Sequence, residues 1–255
     1  MLKPSRPIRL SLTVAVCRRI YRFYRRKILS RIFNIEVYAP RMRYEEVEII
    51  ENLLKCLKPK NILEWGSGYS TLHFPEFISK DAKWRTLEHA KEWFAKINAM
   101  NKNNNVSIFL VEPNQLPFSG DGTYSDFKDY IDFSSNLPRA DLIIIDGRAR
   151  KDCLVKAHEI LAENGVVVLH DAQRQYYHES FSIYKYQMML SDYDFKDKML
   201  WIGSKSLDLN KIIDIRNFKQ LWGIYRKLGA IEKFKRNIFF RSSIRGNNWT
   251  NFRND

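Results

Sequence analysis

Asn61-Ile62-Leu63-Glu64-Trp65-Gly66-Ser67-Gly68-Tyr69-Ser70-Thr71 decides the fold. An apolar, strand-like run ends in an acid, glycines follow at 66 and 68, and a helix-like segment begins. A strand that passes through a tight turn into a helix N-terminus is the layout that cradles a nucleotide-like cofactor, because free backbone N–H groups and the helix dipole face the ligand there. Glycine suits the turn because it accepts positive φ and lets the backbone approach closely.

Outward from this turn the chain alternates strands and helices. Upstream, residues 43–57 carry Val47, Ile50, Leu53, Leu54 and Leu57 at helical spacing, and Lys58-Pro59-Lys60 ends that segment. Downstream the pattern predicts a helix near 70–80 and a strand at 84–88. A helix containing Trp93, Phe94 and Ile97 follows, then a strand from Val106 to Val111. Residues 113–140 form a long connection with an aromatic and acidic stretch that includes Tyr124 and Tyr130. Asp141-Leu142-Ile143-Ile144-Ile145-Asp146 is a continuous aliphatic run, as a strand buried on both faces requires. A helix at 150–162, stopped by Asn164-Gly165, leads to a strand at Val166–Leu169 that ends in His170-Asp171. A further helix is expected over 175–190, then a closing pair of strands around Tyr193-Asp194-Phe195 and Lys198–Gly203. The reading is an α/β chain with a mostly parallel sheet.

The formal net charge of +14 is concentrated at the ends. Residues 1–33 hold ten Lys/Arg and no acid, and residues 206–255 hold eleven Lys/Arg against four acids. The intervening chain is therefore mildly acidic. Three domains are expected: a basic amphipathic extension (1–42), an α/β domain (43–205) and a basic helical extension (206–255). From Ile20 onward, apolar and aromatic residues recur at three- and four-residue steps among arginines, the pattern of a helix lying in a membrane interface. The uninterrupted apolar part of 8–33 is too short to span a bilayer, and no small-residue cleavage site follows it. An anionic membrane surface is the expected partner of residues 8–33, with nucleic acid as the alternative. Cys17, Cys56 and Cys153 show neither disulfide nor metal-site spacing, so a cytoplasmic, membrane-peripheral location is expected.

The dinucleotide fingerprint requires a third glycine where this chain has Thr71. Leu63–Thr71, Asp141–Arg150 and Val166–Asp171 together resemble the motifs of class I S-adenosylmethionine (SAM)-dependent methyltransferases of the O-methyltransferase-like branch, over about residues 44–205. The resemblance implies a single Rossmann-like methyltransferase domain with a seven-stranded sheet flanked by helices. It implies SAM as cofactor, held by Glu64, Gly66, Ser67, Gly68, Ser70, Thr71 and Asp146, with Glu88 on the ribose hydroxyls and Glu112 near adenine. Glu88 also earns that expectation from its place at a strand end twenty residues after Gly68.

Asp146, His170 and Asp171 fall at strand ends and are the expected catalytic groups, since methyl transfer to a hydroxyl needs positioning and removal of a proton. Arg148, Arg150, Tyr124 and Tyr130 are the expected acceptor-binding residues, the arginines for an anionic group. The resemblance also places two metal-binding acids at Asp146 and Asp171. However, the family's third ligand is Ala172 here and its catalytic lysine is Ala149, so the need for a divalent metal stays open. The expected acceptor is a hydroxyl on a glycan, lipid-linked sugar or small molecule. Nucleic-acid methylation and a non-catalytic adaptor role are the alternatives.

Overall fold

The computed structural model describes residues 11–33, 38–191 and 199–239. Its centre is a seven-stranded sheet built from β1 (Asn61–Trp65), β2 (Lys83–Glu88), β3 (Val106–Leu110), β4 (Ala140–Ile145), β5 (Leu161–Leu169), β6 (Tyr186–Ser191) and β7 (Met199–Ser204). The strand order is β3-β2-β1-β4-β5-β7-β6. The first five strands pair in parallel, and β7 runs antiparallel between β5 and β6. The order reverses between β1 and β4. In open α/β sheets the crevice at such a reversal, at the carboxyl ends of the strands, takes the ligand.

The two-residue period of a strand divides the core into two layers. Ile62, Leu142, Ile144, Val166, Val168 and Ile202 face α2 (Tyr44–Leu57) and the start of α7 (Ile215–Phe239). Leu63, Trp65, Ile143, Ile145, Val167 and Leu169 face α5 (Lys128–Asp132) and α6 (Arg150–Ile160). The aliphatic runs in β4 and β5 are thus explained: both faces of these strands are covered. The expected helical face of α2 is buried as read.

α2 also buries acids, and each has a partner. Glu48 accepts from the Tyr225 hydroxyl of α7 at 2.9 and 3.0 Å, and Glu51 lies 2.8 Å from His73 Nε2. Residues beyond 206 therefore do more than extend the domain: Leu207, Leu209, Ile212, Phe218, Leu221 and Tyr225 are core residues. α1 (Leu12–Ile32) packs against α7 and the start of α2 through Val16 and Arg19, whose guanidinium lies over the rings of Tyr44 and Tyr225.

Three expectations about elements are corrected. The segment expected as a helix over 175–190 is a 3-10 stretch, Gln175–Ile183, followed by β6. Phe181 and Tyr184 pack against Trp201, and Tyr186, Met188 and Met189 then alternate between the two core layers, a period of two that overrides helical propensity. Asn164-Gly165 does not stop α6. That helix ends at Ile160, and both residues lie within β5, whose first residue already pairs with Ala140. The helix expected near 70–80 is α3 (Tyr69–His73) continued by a 3-10 turn over Phe74–Phe77, where Pro75 breaks the α pattern. Tyr193-Asp194-Phe195 and residues 246–255 lie outside the described residues.

The Tyr225–Glu48 contact links helices that are 177 residues apart in sequence. Tyr225→Phe removes a donor from a carboxylate that is itself fully buried. It is expected to lower stability by about 1–3 kcal/mol in urea unfolding, the range for an under-satisfied buried group; an unchanged midpoint and slope would refute this role.

Candidate functional site at the strand ends

The glycine turn is assembled by close backbone approach. Gly66 has φ +93°, and a Cβ on it would lie 2.6 Å from the N and Cα of Gly147. A Cβ on Gly147 would in turn lie 2.2 Å from the Tyr130 hydroxyl. The turn after β1 and the turn after β4 therefore touch directly, joined by Asp146 N–H donating to Trp65 O at 2.9 Å. Neither position accommodates a side chain.

Glu64 braces this turn. Its carboxylate is fully buried and accepts from Ser70 Oγ (2.6 Å), Thr71 Oγ1 (2.8 Å), Trp84 Nε1 (2.9 Å) and Thr86 Oγ1 (2.9 Å). Burial lifts its pKa to about 7 against the opposing pull of these donors. Both oxygens are engaged by the protein, so the carboxylate fixes β1, β2 and the first turn of α3 to one another. Ser70 and Thr71, expected to touch a cofactor, point inward to this carboxylate.

Glu88, at the end of β2, is held from two sides. Its Oε2 accepts from both the N–H and the hydroxyl of Ser67 at 2.7 Å, and its Oε1 accepts from the N–H groups of His89 and Ala90 at 2.9 Å. Burial works to raise its pKa, but the donors of His89, Ala90 and Ser67 outweigh it, and the carboxyl sits below the ordinary glutamate value. It is an ionised acceptor facing the turn. From α4 (Lys91–Met100), Trp93 Nε1 donates to Ser67 O at 2.6 Å, and Tyr69 packs edge-on against Trp93. Tyr38 stacks on Tyr69 at 4.9 Å, which brings the segment before α2 over the turn.

The second half of the site lies at the ends of β4 and β5. His170 is buried with Nδ1 2.8 Å from Asp146 Oδ1 and Nε2 3.4 Å from Glu46 Oε2. Burial opposes its charge, but the two carboxylates prevail and raise its pKa to about 10. At neutral pH the ring is a cation that donates to Asp146. Asp171 adopts φ +56°, with Oδ2 3.8 Å from both His170 Nδ1 and Arg150 Nη1. Its Oδ1 is buried and has no hydrogen-bond partner among the described residues.

The expected acceptor-binding residues separate. Arg150 is buried, and its guanidinium donates to Gly147 O (2.9 Å), His170 O (2.7 Å) and Asp146 O (3.2 Å). Arg148 is half-buried, donates to Gly120 O at 3.1 Å and lies over the Phe118 ring. Tyr130 is a core residue behind the turns, and burial raises its phenol pKa. Tyr124 is exposed, and its hydroxyl donates to Asp132 at 2.6 Å. Glu112 is exposed just beyond β3.

Two site residues were missed by the sequence reading. Asp121 accepts from Arg150 N–H and the Tyr177 hydroxyl, both at 3.0 Å, and so ties the long connection to the start of α6. The signal was there in Gly120-Asp121-Gly122, whose glycines both adopt positive φ. Glu46 had no local signal: it reaches His170 only because α2 packs over the sheet.

No family model matches the sequence, and no curated protein matches it. Solved structures do match its shape. A methyltransferase-like protein from Silicibacter pomeroyi aligns over 71% of this chain and 97% of its own, at 18% identity and a TM-score of 0.51. An O-methyltransferase from Bacillus cereus, solved in complex with SAH, aligns over 71% and 97% at 14% identity and a TM-score of 0.50. The chain has the Rossmann-like fold of these methyltransferases.

The His170 contacts carry a pH signature. The ordinary value is 6.5 and the folded value about 10, so the stabilisation is complete below about pH 6.5 and is lost as pH rises through 10. His170→Gln is expected to cost on the order of 3 kcal/mol near pH 6. In thermal melts the gap between wild type and variant should narrow steadily from pH 7 to pH 10; a gap independent of pH would show that the ring is not held charged.

Proposed function

We propose that this protein is a SAM-dependent methyltransferase that methylates a hydroxyl of a glycan, lipid-linked sugar or related small molecule at the cytoplasmic face of a membrane. The observation that carries the cofactor is the pairing of the glycine turn with Glu88. An ionised carboxylate at the end of β2 grips the turn through Ser67, at the place where ribose hydroxyls would be received. The chemistry of this group fits the cofactor: Glu88, an ionised carboxylate held by the N–H groups of Ser67, His89 and Ala90, would accept from ribose hydroxyls. The likeness of fold to an O-methyltransferase solved with SAH supports the same reading.

When bound, SAM supplies an electrophilic methyl group on a sulfonium sulfur. The chain supplies the rest. The N–H groups of the turn are held by the protein, Gly66 on Leu87 O, Ser67 on Glu88 Oε2 and Gly68 on Thr71 Oγ1, which fixes the turn's shape, and Asp146, beside Gly147, lies at the boundary between the turn and the β5 end. Asp171 is the proton acceptor for the acceptor's hydroxyl, through the buried oxygen with no partner among the described residues. Arg148, at the rim, meets an anionic group on the acceptor.

The membrane reading rests on α1. Val14, Cys17, Tyr21, Tyr24, Ile28 and Ile32 recur at steps of three and four along one face, and all six are exposed, Tyr21 at 64% and Ile32 at 70%. The opposite face docks through Val16 and Arg19. An exposed apolar and tyrosine stripe on an arginine-rich helix complements an anionic lipid surface. No described helix is long and apolar enough to cross a membrane.

Calorimetry with SAM is expected to show one site, weakened at least about tenfold by Glu88→Ala, since a buried charged acceptor is lost. Absence of binding to the folded wild type would overturn the enzyme reading. Co-sedimentation with phosphatidylserine-containing vesicles should be strong for the full chain and lost in Tyr21→Glu/Ile28→Glu. Salt-sensitive RNA binding without vesicle binding would favour a nucleic-acid acceptor instead.

A further inference from the structure

Between Asp146 and Asp171 the chain places its own cations. Arg150 Nη2 lies 3.3 Å from Asp146 Oδ1, and Arg150 Nη1 lies 3.8 Å from Asp171 Oδ2. His170 Nδ1 approaches the same two oxygens at 2.8 and 3.8 Å. The guanidinium is not a loose counter-ion. It donates to the carbonyls of residues 146, 147 and 170, so one planar fork joins the ends of β4 and β5. Its backbone is fixed in turn, with Arg150 N–H on Asp121 Oδ2 and Ala149 N–H on Asp121 O at 2.7 Å.

A divalent ion bound by these acids would need carboxylate oxygens at about 2.0–2.6 Å and further oxygen ligands around it. Here Asp146 Oδ1 and Asp171 Oδ2 each face protein cations, the other oxygen of Asp171 is buried, and residues 149 and 172 are alanines that offer no ligand. Among the described residues no group of three or more His, Cys, Asp or Glu is arranged to hold a metal. The residues present do not fit a metal.

We propose that the Arg150 guanidinium, backed by the His170 ring, is a built-in cation that orients Asp146 and Asp171 without a divalent ion. This deepens the methyltransferase reading and rests on it for the purpose of the site. Arg150 is a positioning residue: with His170 it holds Asp171 through Oδ2, while Oδ1 stays buried with no hydrogen-bond partner among the described residues. The site therefore takes a lone hydroxyl by a hydrogen bond to Asp171, rather than a chelating pair of oxygens by a metal.

The test is a Mn2+ titration of the full chain, followed by electron paramagnetic resonance and thermal melting, with and without SAH. Wild type is expected to bind no stoichiometric Mn2+ and to melt at the same temperature with Mn2+ or EDTA. One equivalent of Mn2+ bound by wild type and lost in Asp171→Asn would overturn the proposal. Arg150→Gln removes the charge, and Mn2+ is expected to raise its melting temperature by several degrees; no response in a folded Arg150→Gln would also overturn it. Arg150→Lys, which keeps the charge, is expected to behave as wild type toward Mn2+, and a Mn2+ response there would count against the proposal. SAH calorimetry on the same samples reports the methyltransferase reading separately, since it can fail while the metal result stands.

Discussion

A buried carboxylate must find donors, and Glu64 finds four on two other elements. This constraint sets the geometry on which the site depends. Ser70 and Thr71 come from the first turn of α3, and Trp84 and Thr86 come from β2. Satisfying one side chain therefore fixes the register of β1 on β2 and the angle at which the chain leaves the sheet. The glycines then close the turn onto β4, where Gly66 and Gly147 approach too closely for any side chain. Such a network specifies one arrangement because a partly satisfied version of it is far worse than either extreme.

The same logic repeats along α2. Its acids point into the molecule rather than toward solvent, and each reaches a different part of the chain: Glu46 to His170, Glu48 to Tyr225, Glu51 to His73. An acidic helix thereby becomes the element that joins the sheet edge, the C-terminal helix and the segment after the glycine turn. Because Glu46 adds a second carboxylate to His170, the packing of α2 decides the charge of a residue more than a hundred positions away. The site is chemically asymmetric as a result. Its cations, Arg150 and His170, are buried beside the acids, and Oδ1 of Asp171 is buried with no hydrogen-bond partner among the described residues.

Much of this was legible along the chain. The aliphatic runs of β4 and β5, the helical face of α2 and the turn at Gly66 are local patterns whose period or conformational demand admits few alternatives. Where the reading failed, the deciding contact was distant. Tyr184 and Tyr186 could have continued a helix; Trp201 and the two core layers made the segment a strand. Asn164-Gly165 has the composition of a helix stop, yet the pairing of Leu161 with Ala140 had already drawn the chain into the sheet. Tyr130 looked like a substrate contact because it sits in an aromatic loop, and it is instead the wall behind Gly147.

The sequence by itself determined the strand–turn–helix at Glu64–Thr71, the acids at the strand ends and the basic character of both termini. Each follows from residue type and spacing over a few positions. Only the tertiary structure decided what those acids face. Glu64 is consumed by the protein, Glu88 is held at the turn by Ser67, His89 and Ala90, and Asp146 and Asp171 are bridged by Arg150 and His170. The reason is that hydrogen bonds and charge pairs of this kind act over about 3 Å, and the groups that enter that distance here come from positions 46, 121, 150 and 170.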